Sequence, residues 1–91
     1  MLKVGDVLWE FTKNDYNIYE IVDISYHLYH FDRIYLRFHV NVLIGNIGVR
    51  GMYLDSNQDY TKLETLFGKY YTTNEQVALN YIREHFNETS N

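Results

Sequence analysis

Apolar and polar residues alternate through most of the first 54 positions, the period-two pattern of strands that bury one face. It is clearest in Ile34-Tyr35-Leu36-Arg37-Phe38-His39-Val40-Asn41-Val42, where every even residue is aliphatic or Phe and every odd one is polar or Tyr. Val22, Ile24, Tyr26 and Leu28 supply a matching even face upstream, so the two segments predict a hairpin. A three-residue loop, Phe31-Asp32-Arg33, would set Leu28 against Leu36, Tyr26 against Phe38, Ile24 against Val40 and Val22 against Val42. A slip of one residue would turn Asp23, Ser25 and His27 onto the core, so the parity is strongly specified. Earlier in the chain, Val7, Trp9 and Phe11 are the large apolar residues of a first strand and are expected to face inward. Lys13 to Asn17 has turn composition, and a long strand is expected from Ile18.

Beyond residue 44 the pattern changes. Gly45-Asn46-Ile47-Gly48-Val49-Arg50-Gly51 has three glycines and neither period, which predicts a mobile loop. Met52-Tyr53-Leu54 predicts a short strand, Asp55 to Asp59 a polar turn, and Tyr60 to Tyr71 one broken strand or two short ones punctuated by Gly68. Thr73-Asn74-Glu75-Gln76 has the form of a capping box with Thr73 as the cap, opening a helix over 74–86. On that helix Val77, Ala78, Tyr81, Ile82, His85 and Phe86 share one face, while Gln76, Asn80, Arg83, Glu84 and Asn87 face water. Residues 87–91 should fray. The expected fold is α+β: one domain over 1–91, β-rich through residue 72. A strongly bent antiparallel sheet or small open β-barrel of about five strands is closed by one C-terminal α-helix. A compact chain of this length should have a radius of gyration of roughly 12 Å.

Composition sharpens the picture. Ten of the 91 residues are tyrosine, and there is no cysteine or proline. A domain this small with no disulfide relies on aromatic burial or self-association, and a homodimer would account for much of the tyrosine. AT-rich codons also favour Tyr, Asn and Ile, so codon bias stands beside function as a source of the excess. The lack of cysteine fits a reducing cytosol. The N-terminus has no signal-like apolar run, and no stretch approaches the ~20 apolar residues of a membrane span, so a soluble cytoplasmic protein is expected. A net charge of −4 with interspersed signs opposes binding to a phosphate backbone, which makes nucleic acid an unfavourable partner.

The predicted hairpin places Asp23, Ser25, His27 and Tyr29 on one wet face, opposite Asn41, His39, Arg37 and Tyr35 respectively. Ser25, His39 and Asp23 have the composition of a hydrolase triad, but a flat strand offers no free amides for an oxyanion. His27, His30 and His39 with Asp23 or Asp32 could ligate zinc, yet on a strand His27 and His30 point to opposite faces. Asp55 to Asp59 resembles half a calcium loop and fails at Tyr60, where glycine is needed, and at Leu66, where glutamate is. No catalytic residue, metal site or cofactor is therefore expected. Tyr and Arg are the types that concentrate binding energy, so the expected binding residues are His27, Tyr29, Tyr35, Arg37 and His39 on the sheet. Ile47, Val49 and Arg50 on the glycine loop join them.

Lys3-Val4-Gly5-Asp6-Val7, Tyr19-Glu20-Ile21-Val22-Asp23-Ile24 and the run from Phe67 to Val77 give the chain a layout similar to a loose group of short, uncharacterised phage and prophage proteins of low-GC Gram-positive bacteria. The resemblance implies a small β-rich domain with a C-terminal helix and a viral or mobile-element origin; it assigns no activity and no site residue. The leading expectation is a non-enzymatic accessory protein that binds and inhibits a bacterial host protein, an anti-defence inhibitor in the manner of anti-CRISPR proteins. One alternative is a homo-oligomeric sponge for a small signalling nucleotide, with Tyr stacked on the base and Arg37, Arg50 or Lys69 neutralising phosphate. Another is a virion structural or assembly component.

Overall fold

The computed structural model of the protein describes residues 2–30, 33–45, 48–55 and 58–86, with the side chains of 26–30, 33, 34 and 49 excepted. The six strands are β1 (Val7–Phe11), β2 (Tyr16–His30), β3 (Arg33–Ile44), β4 (Val49–Asp55), β5 (Glu64–Leu66) and β6 (Lys69–Thr72), and the helix is α1 (Glu75–His85). They form one antiparallel sheet in the order β4-β3-β2-β1-β6-β5. The sheet curls into a half-barrel, so that its two ends approach: Tyr35 of β3 stacks on Phe67 of the β5–β6 turn at 5.6 Å, and the Tyr60 hydroxyl donates to the Asp55 carbonyl at 3.0 Å. The strand count is six rather than about five because the segment from Tyr60 to Tyr71 divides at Phe67-Gly68, where both residues have positive φ.

The concave face carries the main core: Leu8, Tyr19, Ile21, Phe38, Val40, Val42, Met52, Leu54 and Tyr71. Phe38 and Val40 are 1% and 0% exposed while Arg37 and His39 are half-buried, so the alternation expected of β3 holds from Phe38 to Val42; it fails at the start of the strand, where Tyr35 is buried and Leu36 only half-buried. On β1 the expectation is inverted. Leu8 and Glu10 turn to the concave core, and the odd residue Phe11 lies on the opposite face beneath α1, with Tyr16, Tyr81 and Phe86 at ring distances of 5.9, 4.4 and 6.1 Å. Both faces of β1 are covered, and alternation alone cannot say which of two buried sides is the larger core.

The β2–β3 register also differs from expectation. The connection is shorter, with His30 opposite Arg33, and Phe31 and Asp32 lie outside the described residues. Three irregularities follow, with Ser25 and Val22 the extra residues on β2 and Leu43 on β3, so Ile24 pairs with Phe38, Ile21 with Val40 and Ile18 with Ile44. Each extra residue reverses the parity of everything beyond it. Val22 is thus 43% exposed, and Tyr19 and Ile21 take the buried positions assigned to Val22 and Ile24. From Val22 to His30 the outer edge of β2 has no strand partner among the described residues, since β1 covers only Tyr16–Glu20. This overhang stretches the molecule to 46 Å and raises its radius of gyration to 13.4 Å.

The glycine segment is part strand: β4 starts at Val49 and includes Arg50 and Gly51, while Asn46 and Ile47 fall outside the described residues. Gly51 faces the Arg37 side chain so closely that a Cβ there would lie 2.7 Å from its Nε and Nη2. The helix cap is Asn74, one residue later than expected, its side chain accepting from the Gln76 and Val77 amides at 3.0 and 3.3 Å. Thr73 is diverted because its hydroxyl donates to the Tyr60 carbonyl at 3.0 Å. Ala78 is buried and Val77, Tyr81, Ile82 and Phe86 half-buried on the expected face, but His85 is exposed, stacked on the Tyr81 ring at 4.0 Å. The expected frayed tail, 87–91, is outside the described residues. No helix among the described residues is long and apolar enough to cross a membrane.

Candidate functional site

Where the two ends of the half-barrel approach, they leave a cleft of about 400 Å³ lined by Glu10, Tyr35, Arg50, Gly51, Met52, Tyr53, Phe67, Lys69 and Tyr71. Its walls come from strands far apart in sheet order, β4 at one end and β6 with the β5–β6 turn at the other, with β1 beneath. The sheet must curl for these residues to meet.

At the floor lies Glu10, 1% exposed. An ionised carboxylate so placed is costly unless its lone pairs are used. They are: Oε1 accepts from the Tyr19 hydroxyl at 2.6 Å and the Asn17 amide at 2.9 Å, and Oε2 accepts from the Tyr71 hydroxyl at 2.7 Å with the Lys69 ammonium 3.7 Å away. Burial alone would raise the Glu10 pKa, but the three hydrogen bonds and the lysine charge outweigh it and hold the carboxyl below the usual glutamate range. Burial, reinforced by the bond to Glu10 and its charge, pushes the Tyr19 and Tyr71 phenols well above their ordinary value. The network is thus a carboxylate with neutral phenols.

Arg50 extends this network into the cleft. Its Nη1 donates to the Tyr19 hydroxyl at 3.1 Å and its guanidinium lies 5.3 Å from the Tyr19 ring centroid, a cation–π position. Arg50 and Lys69 therefore reach the same carboxylate network from opposite ends of the sheet. Two cations against one buried carboxylate leave the cleft locally positive in a chain of net charge −4. Phe67 stands at the mouth, 64% exposed, with Tyr35 against it. Aromatic walls with a positive, hydrogen-bond-rich floor suit a planar ligand bearing an anionic group.

Of the expected binding residues, Tyr35 and Arg50 meet in this cleft. Tyr35 is only 9% exposed, a wall residue and not part of a wet face. Arg37 reaches the rim through Gly51 and Tyr53, its guanidinium 5.8 Å from the Tyr53 ring centroid. His39 pairs with Gly51 on one side and with Asp23 on the other, so Ser25, a bulge residue, is not beside it and the triad-like constellation does not assemble. His27 sits opposite Leu36 and Tyr29 opposite Ile34, so the expected rows with Arg37 and Tyr35 are not formed; the side chains of His27, Tyr29 and Val49 and all of Ile47 lie outside the described residues. Among the described residues no three His, Cys, Asp or Glu side chains are grouped to hold a metal ion.

The residues that alternation missed are Glu10, Tyr19, Tyr53, Phe67 and Tyr71. Glu10 looks like the wet position of β1, and its one sequence signal is a carboxylate embedded in Val7-Leu8-Trp9-Glu10-Phe11, where both parities are apolar. Set beside known proteins, the chain matches no family model, and neither a curated protein nor a solved structure matches it.

Proposed function

We propose that the protein is a non-enzymatic binding protein whose cleft between β4 and β6 holds a small phosphate-bearing ligand, with a nucleotide the candidate class. The carrying observation is that Arg50 and Lys69, from opposite ends of the sheet, converge on the Glu10–Tyr19–Tyr71 network at the floor of an aromatic cleft. The phenols and Asn17 occupy both Glu10 oxygens. Glu10 therefore acts as an anchor that orients its neighbours, and nothing in that arrangement supports proton transfer. Sequestering a signalling nucleotide is the physiological role that such a site would serve. Calorimetry against AMP, ADP-ribose and a cyclic dinucleotide tests this: one of them should bind, and Arg50→Ala and Lys69→Ala should each weaken it about tenfold or more. Absence of heat with all three, together with phosphate, would overturn the reading.

A second reading, inhibition of a bacterial host protein in an anti-defence role, is favoured by the β2 overhang. Its edge from Val22 to His30 is open to strand addition, although the bulges at Val22 and Ser25 blunt that edge. Recovery of one host protein in stoichiometric amount by the intact chain, lost when the overhang is shortened between Ile24 and Arg37, would support it. Failure to recover any would remove it.

A further inference from the structure

Phe67 occupies an unfavourable place by every local criterion. With Gly68 it forms the two-residue link between β5 and β6, Leu66 pairing with Lys69, and the φ values of 54° and 77° are those of a type I′ turn. Asn or Asp before glycine is the preferred occupant of the first position; a bulky side chain at positive φ is an outlier. The side chain gains little burial in return, being 64% exposed, so neither the turn nor the core accounts for a phenyl ring here.

The ring's position does. One side packs on Tyr35 at 5.6 Å and 26° from parallel, while the residue lines the same cleft as Arg50 and Lys69. Lys69 is two residues on in the same hairpin, so one turn delivers both an aromatic surface and a cation to the cleft. We propose that Phe67 is the specificity-determining ring of this site: the ligand's planar base stacks on Phe67, backed by Tyr35, while its phosphate is held by Arg50 and Lys69. This rests on the cleft being a ligand site and selects, within phosphate-bearing ligands, those that carry a base. A strained turn maintained at a cleft mouth fits the general rule that backbone outliers gather where a site needs a side chain placed.

The test compares AMP with ribose 5-phosphate by calorimetry on the wild-type chain, Phe67→Asn and Phe67→Tyr. Wild type should prefer AMP by about tenfold or more, the ratio that base stacking on one aromatic ring supplies. Phe67→Asn should abolish that preference, bringing AMP to the level of ribose 5-phosphate in the same variant, and it should melt at a higher temperature because Asn-Gly suits the turn. Phe67→Tyr should keep the preference. An unchanged AMP preference in Phe67→Asn overturns the stacking role while leaving the cleft as the phosphate site. Binding of neither compound to wild type overturns both.

Discussion

The Tyr71 hydroxyl donates to the Glu10 carboxylate at 2.7 Å across 61 positions of sequence, and through that bond β6 is tied to β1 in the floor of the cleft. Tyr19 on β2 donates to the other oxygen at 2.6 Å, so one carboxylate joins three adjacent strands. Removing it strands two buried phenols without their acceptor. Glu10→Ala should therefore cost about 3 kcal/mol or more in urea denaturation, and Tyr71→Phe, which leaves the carboxylate its other partners, about 1–2 kcal/mol. Equal, small losses in both variants would show that the network does not hold the strands together.

Acid should expose the same carboxylate. The folded-state pKa of Glu10 lies below its ordinary value of 4.5, so its contribution to stability is complete above that value and disappears as pH falls through the depressed folded value. The difference in stability between wild type and Glu10→Gln should consequently shrink as pH is lowered from 6 to about 3. A difference that stayed constant would mean that the carboxyl is not ionised in the folded protein.

Alkali acts on the phenols in the opposite sense. Burial first, then Glu10 in the case of Tyr19 and Tyr71 and the Asp55 charge in the case of Tyr60, holds these three protonated beyond the range of an ordinary tyrosine. Because the unfolded chain ionises them near pH 10, rising pH favours unfolding. The phenolate absorbance of Tyr19, Tyr60 and Tyr71 at about 295 nm should therefore appear only as the sheet opens, in a late step coincident with unfolding. A single smooth titration with the fold intact by circular dichroism would contradict this placement.

Gly45 controls the site from outside it. Its φ is +129°, and a Cβ there would collide with Oδ1 of Asn17, whose amide donates to Glu10 at 2.9 Å. Gly45→Ala should lose about 1–3 kcal/mol of stability, whereas Gly48→Ala, with φ of +138° but open space around the Cβ, should lose less. The reverse order would place the constraint in the backbone alone.

The sequence-legible part of this protein is what period and local chemistry can carry. The alternation assigns the buried face of β3 correctly from Phe38 to Val42 but not at Tyr35, and the apolar stripe Val77–Phe86 locates the helix. Parity fails at Val22 and Ser25 because a bulge is decided by how a long strand twists against its neighbours, which residue type does not announce. It fails on β1 because Phe11 and Leu8 are both fully buried on opposite sides. Arg50 and Tyr35 were readable as binding types, and they do meet in the cleft. Glu10 was not readable, because its meaning depends on Tyr19, Asn17, Lys69 and Tyr71 converging from strands whose adjacency follows only from the order β2-β1-β6.

The most direct measurement is a two-dimensional amide NMR titration of the intact, isotope-labelled chain with AMP. Saturable shifts are expected at Gly51, Met52, Tyr53, Phe67, Gly68 and Lys69, on both sides of the cleft, with the overhang from Val22 to Tyr26 unmoved. Shifts confined to the overhang, or none at millimolar AMP and at millimolar phosphate, would contradict a ligand site between β4 and β6.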